Sequence, residues 1–346
     1  MTQDLSRFLV DQGLAADGDT FGDLAGELLA ARDSAIIAPI ADQGLIRASG
    51  ADAAEFLHNL VTPDITGLAV NSARLAGLCT AKGRLLALFL VWRDGEDFLL
   101  MLPREILPTI LKKLSMYVLR SRVKLSDASG ERALVGISAP DGVEPIAGLG
   151  LSGLPGRGLA PVSGGQAIRL DGKRWLLAVP PDQAIAAWQE WASSARPAGL
   201  AAWNWLEIAQ GQARILAATQ EAFVPQMLNL ELAAVAGVSF TKGCYPGQEI
   251  VARTQYLGKV KRRTFRARLV GAAAPGTHVF SPETGDQHCG ALVSLAPSPG
   301  GGHECLVCVQ IGARESDDVR VGSPDGERLE FLTLPYAVTD DEPAAA

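Results

Sequence analysis

Apolar positions follow strand and helix periods up to about residue 257 and strand periods alone after it. Leu85 to Trp92 is the longest strong apolar run; it has strand length and Arg93 closes it. With Arg74 to Cys79 and Phe98 to Leu102 it predicts a hairpin set. Its connections are Thr80-Ala81-Lys82-Gly83 and Arg93-Asp94-Gly95-Glu96-Asp97, the latter holding an Asp-Gly hairpin signal. Ile106, Ile110, Leu111, Leu114, Tyr117 and Val118 then share one helical face, with Pro103 or Pro108 acceptable in the first turn. Arg120, Arg122 and Lys124 alternate as on a strand. Ahead of the set, Asp52 and Glu55 have capping-box spacing before Ala53 to Leu60, a short helix that Pro63 would stop.

A second set resembles the first. Arg132 to Ser138, Gln166 to Leu170 and Arg174 to Val179 read as strands with Asp171-Gly172-Lys173 as their turn, before helices near Asp182 to Ser194 and Ala201 to Gln210. Two sheet-plus-helix units are implied. Beyond Gly258, short alternating strands with Gly and Pro turns run to about Leu334, as expected of a small barrel or sandwich, and the tail EPAAA reads as disordered.

At 346 residues and 48% hydrophobic content the chain can bury a large core in two or three structural units. The opening MTQDLSRFLV holds no apolar stretch long enough for a signal peptide or membrane span, so a cytoplasmic protein without membrane partners is expected. Five cysteines, at 79, 244, 289, 305 and 308, form no disulfide framework and read as reduced thiols. A net charge of -7 argues against a general nucleic-acid binder. The basic residues are uneven, however: Ile250 to Arg268 contains no acid while Arg253, Lys259, Lys261, Arg262, Arg263, Arg266 and Arg268 are cationic. That run is either a solvated linker entering a strand or an anion-facing patch for a polyglutamate tail or an acidic partner.

Gly148 to Gly153 matches the dinucleotide fingerprint G-x-G-x-x-G, but Pro145 before it and Pro155, Gly156 and Gly158 after it deny the flanking strand and helix, so a loop is expected. Cys305 and Cys308 have zinc-like spacing with His288, Cys289 and His303 nearby. On a strand such as CLVCVQI, residues three apart face opposite ways, which favours buried structural thiols and no metal. His58, with only Glu55 as a nearby co-ligand, reads as structural. Ser239 to Gly258 carries more. Pro246-Gly247 suits the centre of a type II turn, and Gln248 to Tyr256 can form a short helix capped by Gly258, with Glu249 and Arg253 spaced to pair. Cys244 falls just before the positive end of that helix, near Lys242 and Arg253, a setting that favours a thiolate.

At these residues the sequence resembles the YgfZ family: Lys242-Gly243-Cys244-Tyr245, Gly247-Gln248-Glu249 and Arg253 reproduce its signature. Phe223-Val224-Pro225-Gln226, Asn229-Leu230, Ser49 to Ala53 and Leu60 to Asp64 look like the family too. The resemblance implies an α+β, T-protein-like architecture: two mixed α+β, ferredoxin-like domains and a C-terminal β-barrel around a central cavity for tetrahydrofolate. Placed on this chain the domains would be 1–130, 131–257 with the signature, and 258–336, the first two free to interleave, with a tail at 337–346. It implies service to iron-sulfur cluster assembly or repair, with iron-sulfur assembly or client proteins as partners. It also implies a folate set of Asp42, Asn229, Lys242, Tyr245, Gln248, Glu249 and Arg253, with Cys244 as the functional thiol.

The chain departs from the family twice, the first time against an active aminomethyltransferase, the alternative reading, and the second time at the pterin contacts. Such enzymes of this fold carry an aspartate near the end of the strand after the glycine turn, whereas Arg84 to Trp92 has no acid and Leu88 takes that place. Loss of that proton partner would remove about 10²-fold of rate. Where the fold usually offers an arginine and then a glutamate, this chain has Glu207 and Ala209. A third reading is a scaffold that uses Arg253 to Arg268 and has lost folate. One well-placed thiol could hold a cluster only with ligands from elsewhere.

Overall fold

The computed structural model describes residues 3–256, 258 and 260–338; Lys259 of the basic run and the tail from 339 lie outside them. The chain divides into two compact units, each assembled from three segments: Met1–Gly50, Leu68–Ala73 and Val91–Leu206, and Ala51–Gly67, Arg74–Leu90 and Glu207–Ala346.

In the first unit a six-stranded sheet runs in the order Arg196–Pro197, Ile36–Pro39, Ala133–Ser138, Arg174–Val179, Gly165–Arg169, Leu159–Val162. Only the pairing of Ile36–Pro39 with Arg196–Pro197 is parallel. Residues Ala133 to Ser138 and Arg174 to Val179 are buried throughout, as uninterrupted apolar runs require. Leu5 and Leu9 of the helix Gln3–Asp11 and Trp188 and Trp191 of the helix Ala184–Trp191 close one core over Ile37, Val135 and Trp175. A side chain at Gly136 would meet the Trp203 ring at 2.5 Å, so glycine there lets the indole lie on the strand.

Also in this unit, Gln43–Ser49 pairs antiparallel with Asp97–Pro103 and with Lys124–Asp127. The helix Leu107–Ser115 has Pro108 in its first turn and buries Leu107, Ile110 and Leu114, while Tyr117 and Val118 fall beyond its end. Arg120 and Arg122 sit in turns, with the strand starting only at Lys124. The G-x-G-x-x-G segment is a loop ending in a 3-10 turn. Its amides are spoken for: Glu144 accepts from Leu151 N at 2.8 Å and Ser152 N at 2.9 Å, so a carboxylate of the chain occupies the position a phosphate would need.

In the second unit Ala73–Cys79 and Leu85–Asp94, which begin and end in the first, are sheet neighbours. The helix Ala53–His58 is shorter than expected, and Asp52 stands at its N-cap without a side-chain capping bond, so the capping box does not form. The C-terminal strands make a curled antiparallel sheet in the order Arg320–Val321, His278–Phe280, His288–Pro297, His303–Gln310, Arg262–Leu269, Glu330–Leu332. It is a half-barrel around Leu269, Val279, Leu292, Val307 and Val309. One short helix, Ile311–Ser316, interrupts the strands, where strand periods alone were expected. Cys305 joins that core and Cys308 does not, so the two thiols face opposite sides of their strand. Burial pushes each up to about 12.

One buried acid ties the first unit's N-terminal region together. Glu27 is 1% exposed and accepts from Thr20 Oγ1 (2.8 Å), Phe21 N (2.7 Å) and Gly199 N (2.8 Å). Glu27→Ala would strand these donors and should lower unfolding free energy by about 3 kcal/mol in urea denaturation, against near-neutrality for Glu96→Ala in an exposed turn.

Candidate functional site: the signature turn

The site is built from the segment that carries Lys242 to Gln248 and from three stretches of the second unit that hold it. Thr62, fully buried, is the first of these. Its hydroxyl donates to Gly237 O at 2.6 Å and accepts from Gly77 N at 2.8 Å, while its carbonyl accepts from Ser239 N at 3.1 Å. Ser239 Oγ in turn accepts from Lys242 N at 3.3 Å. The approach to the signature is thus tied down by the Thr62 and Ser239 hydroxyls bonding to backbone groups.

The turn itself has the marks of type II. Gln248 N donates to Tyr245 O at 3.1 Å, and Gly247 at the third position has φ +83°. Glycine is demanded twice over, because a Cβ at Gly247 would sit 2.4 Å from Thr80 O and 2.7 Å from Gly83 Cα. The facing turn is equally bare: a Cβ at Gly83, φ +70°, would meet Ile250 at 3.0 Å. Backbone therefore packs on backbone between the hairpin turn 80–83 and the start of the helix Gln248–Tyr256. Gly258 N reaches back to Arg253 O at 3.0 Å and closes that helix.

Lys242 points away from solvent. Its ammonium donates to His58 O, at the end of the helix Ala53–His58, and, at 2.6 Å, to Val61 O three residues further on, and lies 5.0 Å from the Tyr245 ring centroid. Burial pulls its pKa down to about 8, with Asp64 and Cys244 opposing that shift. Tyr245 is 6% exposed and its hydroxyl is pushed upward by the same burial. Beside the turn, His58 Nδ1 is 2.8 Å from Asp64 Oδ1. Burial would raise Asp64, but Thr66, Gly67 N and His58 more than offset it and hold the carboxyl at about 2. An ionised carboxylate only accepts, so Nδ1 carries the proton. His58 is a scaffold residue here, as its sequence setting suggested.

Cys244 is exposed, the single exposed thiol among the five; Cys79, Cys289, Cys305 and Cys308 are buried. Gln248 is half-buried, and Glu249 and Arg253 are exposed and make no ion pair with each other among the described residues, unlike the i,i+4 pairing their spacing suggested. Asn229 lies elsewhere in the unit's interior. It is fully buried with φ +60°, ends a 3-10 turn, and its amide donates to Thr264 O at 2.8 Å. Asp42 belongs to the first unit, where its carbonyl accepts from Arg104 N at 2.8 Å. Glu207, whose charge looked reversed, is paired with Arg214 at 3.0 Å, a partner seven residues on that periodicity did not flag. Leu88 is buried mid-strand; the strand's first acid is Asp94, which binds Arg47 at 2.8 Å and Arg132 at 2.9 Å.

Three arginines of the basic run are also paired. Arg263 forms a buried ion pair with Glu231, Arg266 meets Glu304 at 2.5 Å and Arg268 meets Glu330 at 3.5 Å. The partnering acids come from 32 to 62 residues away, beyond any local reading. Among the described residues no group of three or more His, Cys, Asp or Glu side chains could hold a metal ion, and no helix is long and apolar enough to cross a membrane.

Comparison with known proteins agrees with the signature. The GCVT N-terminal domain matches residues 15–150. The tRNA-modifying protein YgfZ of Vibrio vulnificus (strain YJ016) is 32% identical over 241 residues, covering 70% of each chain. The chain belongs to the YgfZ family. The relative from Photobacterium profundum is 29% identical over 306 residues, 86% of this chain and 91% of its own. Aminomethyltransferase T of the glycine cleavage system from Bartonella henselae superposes with a TM-score of 0.74 over 97% of both chains at 19% identity, which establishes a T-protein-like fold.

Two outcomes test this geometry. Gly247→Ala should destabilise the protein by about 2 kcal/mol, from a positive φ and a backbone collision, as read in thermal or urea unfolding. For Lys242, the folded value of about 8 lies below the ordinary 10.5. Between these values the unfolded chain holds a proton that the folded chain has lost, so this lysine makes stability rise with pH over that window. Lys242→Met should flatten the stability curve there.

Proposed function

We propose that the protein binds tetrahydrofolate or a derivative and supports iron-sulfur cluster assembly or repair, using the Cys244 thiol rather than catalysing a folate reaction. The observation that carries this reading is the family signature folded into a rigid turn that presents the only exposed cysteine beside a half-buried lysine. The donor set suits the ligand. A pterin edge asks for a carboxylate and amide, which Glu249 and Gln248 offer, and the glutamate tail asks for a cation, which Arg253 offers. Lys242 and Tyr245 keep the turn in shape.

Aminomethyl transfer is the weaker reading. The strand after the glycine turn carries no acid before Asp94, and Asp94 is neutralised by two arginines. The relatives' name, tRNA-modifying, fits the proposal if the clients include an iron-sulfur enzyme that modifies tRNA; the acidic net charge of this chain disfavours direct RNA binding. A thiol at Cys244 would engage a cluster together with ligands from the client, since four thiolates are needed.

Calorimetric titration with tetrahydrofolate should give saturable binding, weakened by Arg253→Ala and retained in Cys244→Ala. Cells carrying Cys244→Ala should meanwhile lose activity of [4Fe-4S] enzymes. No heat at millimolar ligand would sink the folate part, and undiminished cluster enzymes would sink the thiol part.

A further inference from the structure

Arg263, Arg266 and Arg268 of the basic run have acid partners. Two other arginines of the run, Arg253 and Arg262, form no ion pair among the described residues, and Arg262 is the one that lines a cavity, of about 280 Å³. Arg84 lines the same cavity, and its guanidinium donates to Ala222 O at 2.7 Å. Two imidazoles complete the charged lining: His278 and His288 are stacked with ring centroids 4.1 Å apart and planes within 12°. The remaining titratable group is Cys308, which burial keeps protonated. No carboxylate lines the cavity among the described residues. Four groups able to carry positive charge therefore face one space with nothing to balance them. Burial, His278 and Arg262 together depress the ionisation of His288, the signature of cations held close without a counter-ion.

Arg262 and Met227 are shared with a second cavity of about 530 Å³, whose lining includes Val224, Val260, Thr254 and Lys261. We propose that the two cavities together bind an organic phosphate: the phosphoryl group sits against Arg84, Arg262, His278 and His288, and its less polar remainder enters the larger space. Guanidinium forks match phosphate oxygens in pairs. A phosphomonoester takes its second charge near pH 6, in the range where imidazoles ionise, so a dianion can stabilise two neighbouring imidazolium rings that would otherwise repel. Folate carries carboxylates and no phosphate, so this site is independent of the function proposed above.

The test is an NMR titration of the histidine ring signals of the intact protein with inorganic phosphate, adenosine 5′-monophosphate, adenosine and glutarate. Both phosphate compounds should shift His278 and His288 saturably and leave His58 unmoved, with the nucleotide binding roughly 10-fold or more tighter. Adenosine and glutarate should move neither ring. Arg262→Gln should weaken phosphate roughly 10-fold or more, while Arg266→Gln, which alters a paired arginine of the same strand, should not. Absence of a phosphate shift overturns the proposal, as does a glutarate shift equal to that of phosphate. A nucleotide that binds no tighter than phosphate also overturns it. Because the ring signals report folding of each variant directly, a misfolded Arg262→Gln is recognised, and His288→Gln, read at His278, then serves in its place.

Discussion

Backbone-to-backbone contact at Gly247 is the constraint from which the rest of the site follows. With Thr80 O 2.4 Å from where a Cβ would stand, the chain has no latitude in how the helix Gln248–Tyr256 departs from the turn. Once that departure is set, Tyr245 must go inward, and Cys244, next in the chain, is left outside. Lys242 completes the arrangement by using carbonyls at and just beyond the end of one short helix as an anchor for its ammonium. A cation is thus stored a few residues from a thiol, with the ionised Asp64 acting on it but not cancelling the effect of burial.

Charge is handled differently elsewhere in the second unit. The arginines of Arg262–Leu269 alternate between partners: Arg263 goes to a buried glutamate, and Arg266 and Arg268 go to acids on the adjacent strands. Pairing of this kind makes removal of one partner costly and fixes the strand in register. What looked like one basic patch divides into three paired arginines on the strand and Arg253, Lys261 and Arg262, which form no ion pair among the described residues.

The parts of this architecture that were legible in the sequence are those set by local chemistry. Pro246-Gly247 announced its turn, alternation placed Cys305 and Cys308 on opposite faces, and proline and glycine around residues 148 to 158 ruled out a nucleotide loop. Strand runs such as Arg174 to Val179 were read to the residue because both ends are marked by turn formers. What was hidden depends on distant segments. Glu144 filling the amides at Leu151 and Ser152, Arg214 answering Glu207 and Glu231 answering Arg263 are tertiary pairings with no periodic trace. The Glu249 with Arg253 pair failed for the opposite reason: spacing permitted it, but exposed side chains gain little by holding one geometry.

The interleaving of the two units has a consequence for biosynthesis. The first unit holds all its segments once the ribosome has passed Leu206, but the second contributes Ala51–Gly67 and Arg74–Leu90 early and Glu207 onward late. Leu85 to Leu90, wholly buried in the finished protein, therefore waits for partners such as Phe223 while more than a hundred residues are translated. Contacts of such long sequence separation form slowly, and an apolar strand left waiting is open to wrong associations. The yield of folded protein in a cell should accordingly depend on translation speed as well as on the stability of the finished fold.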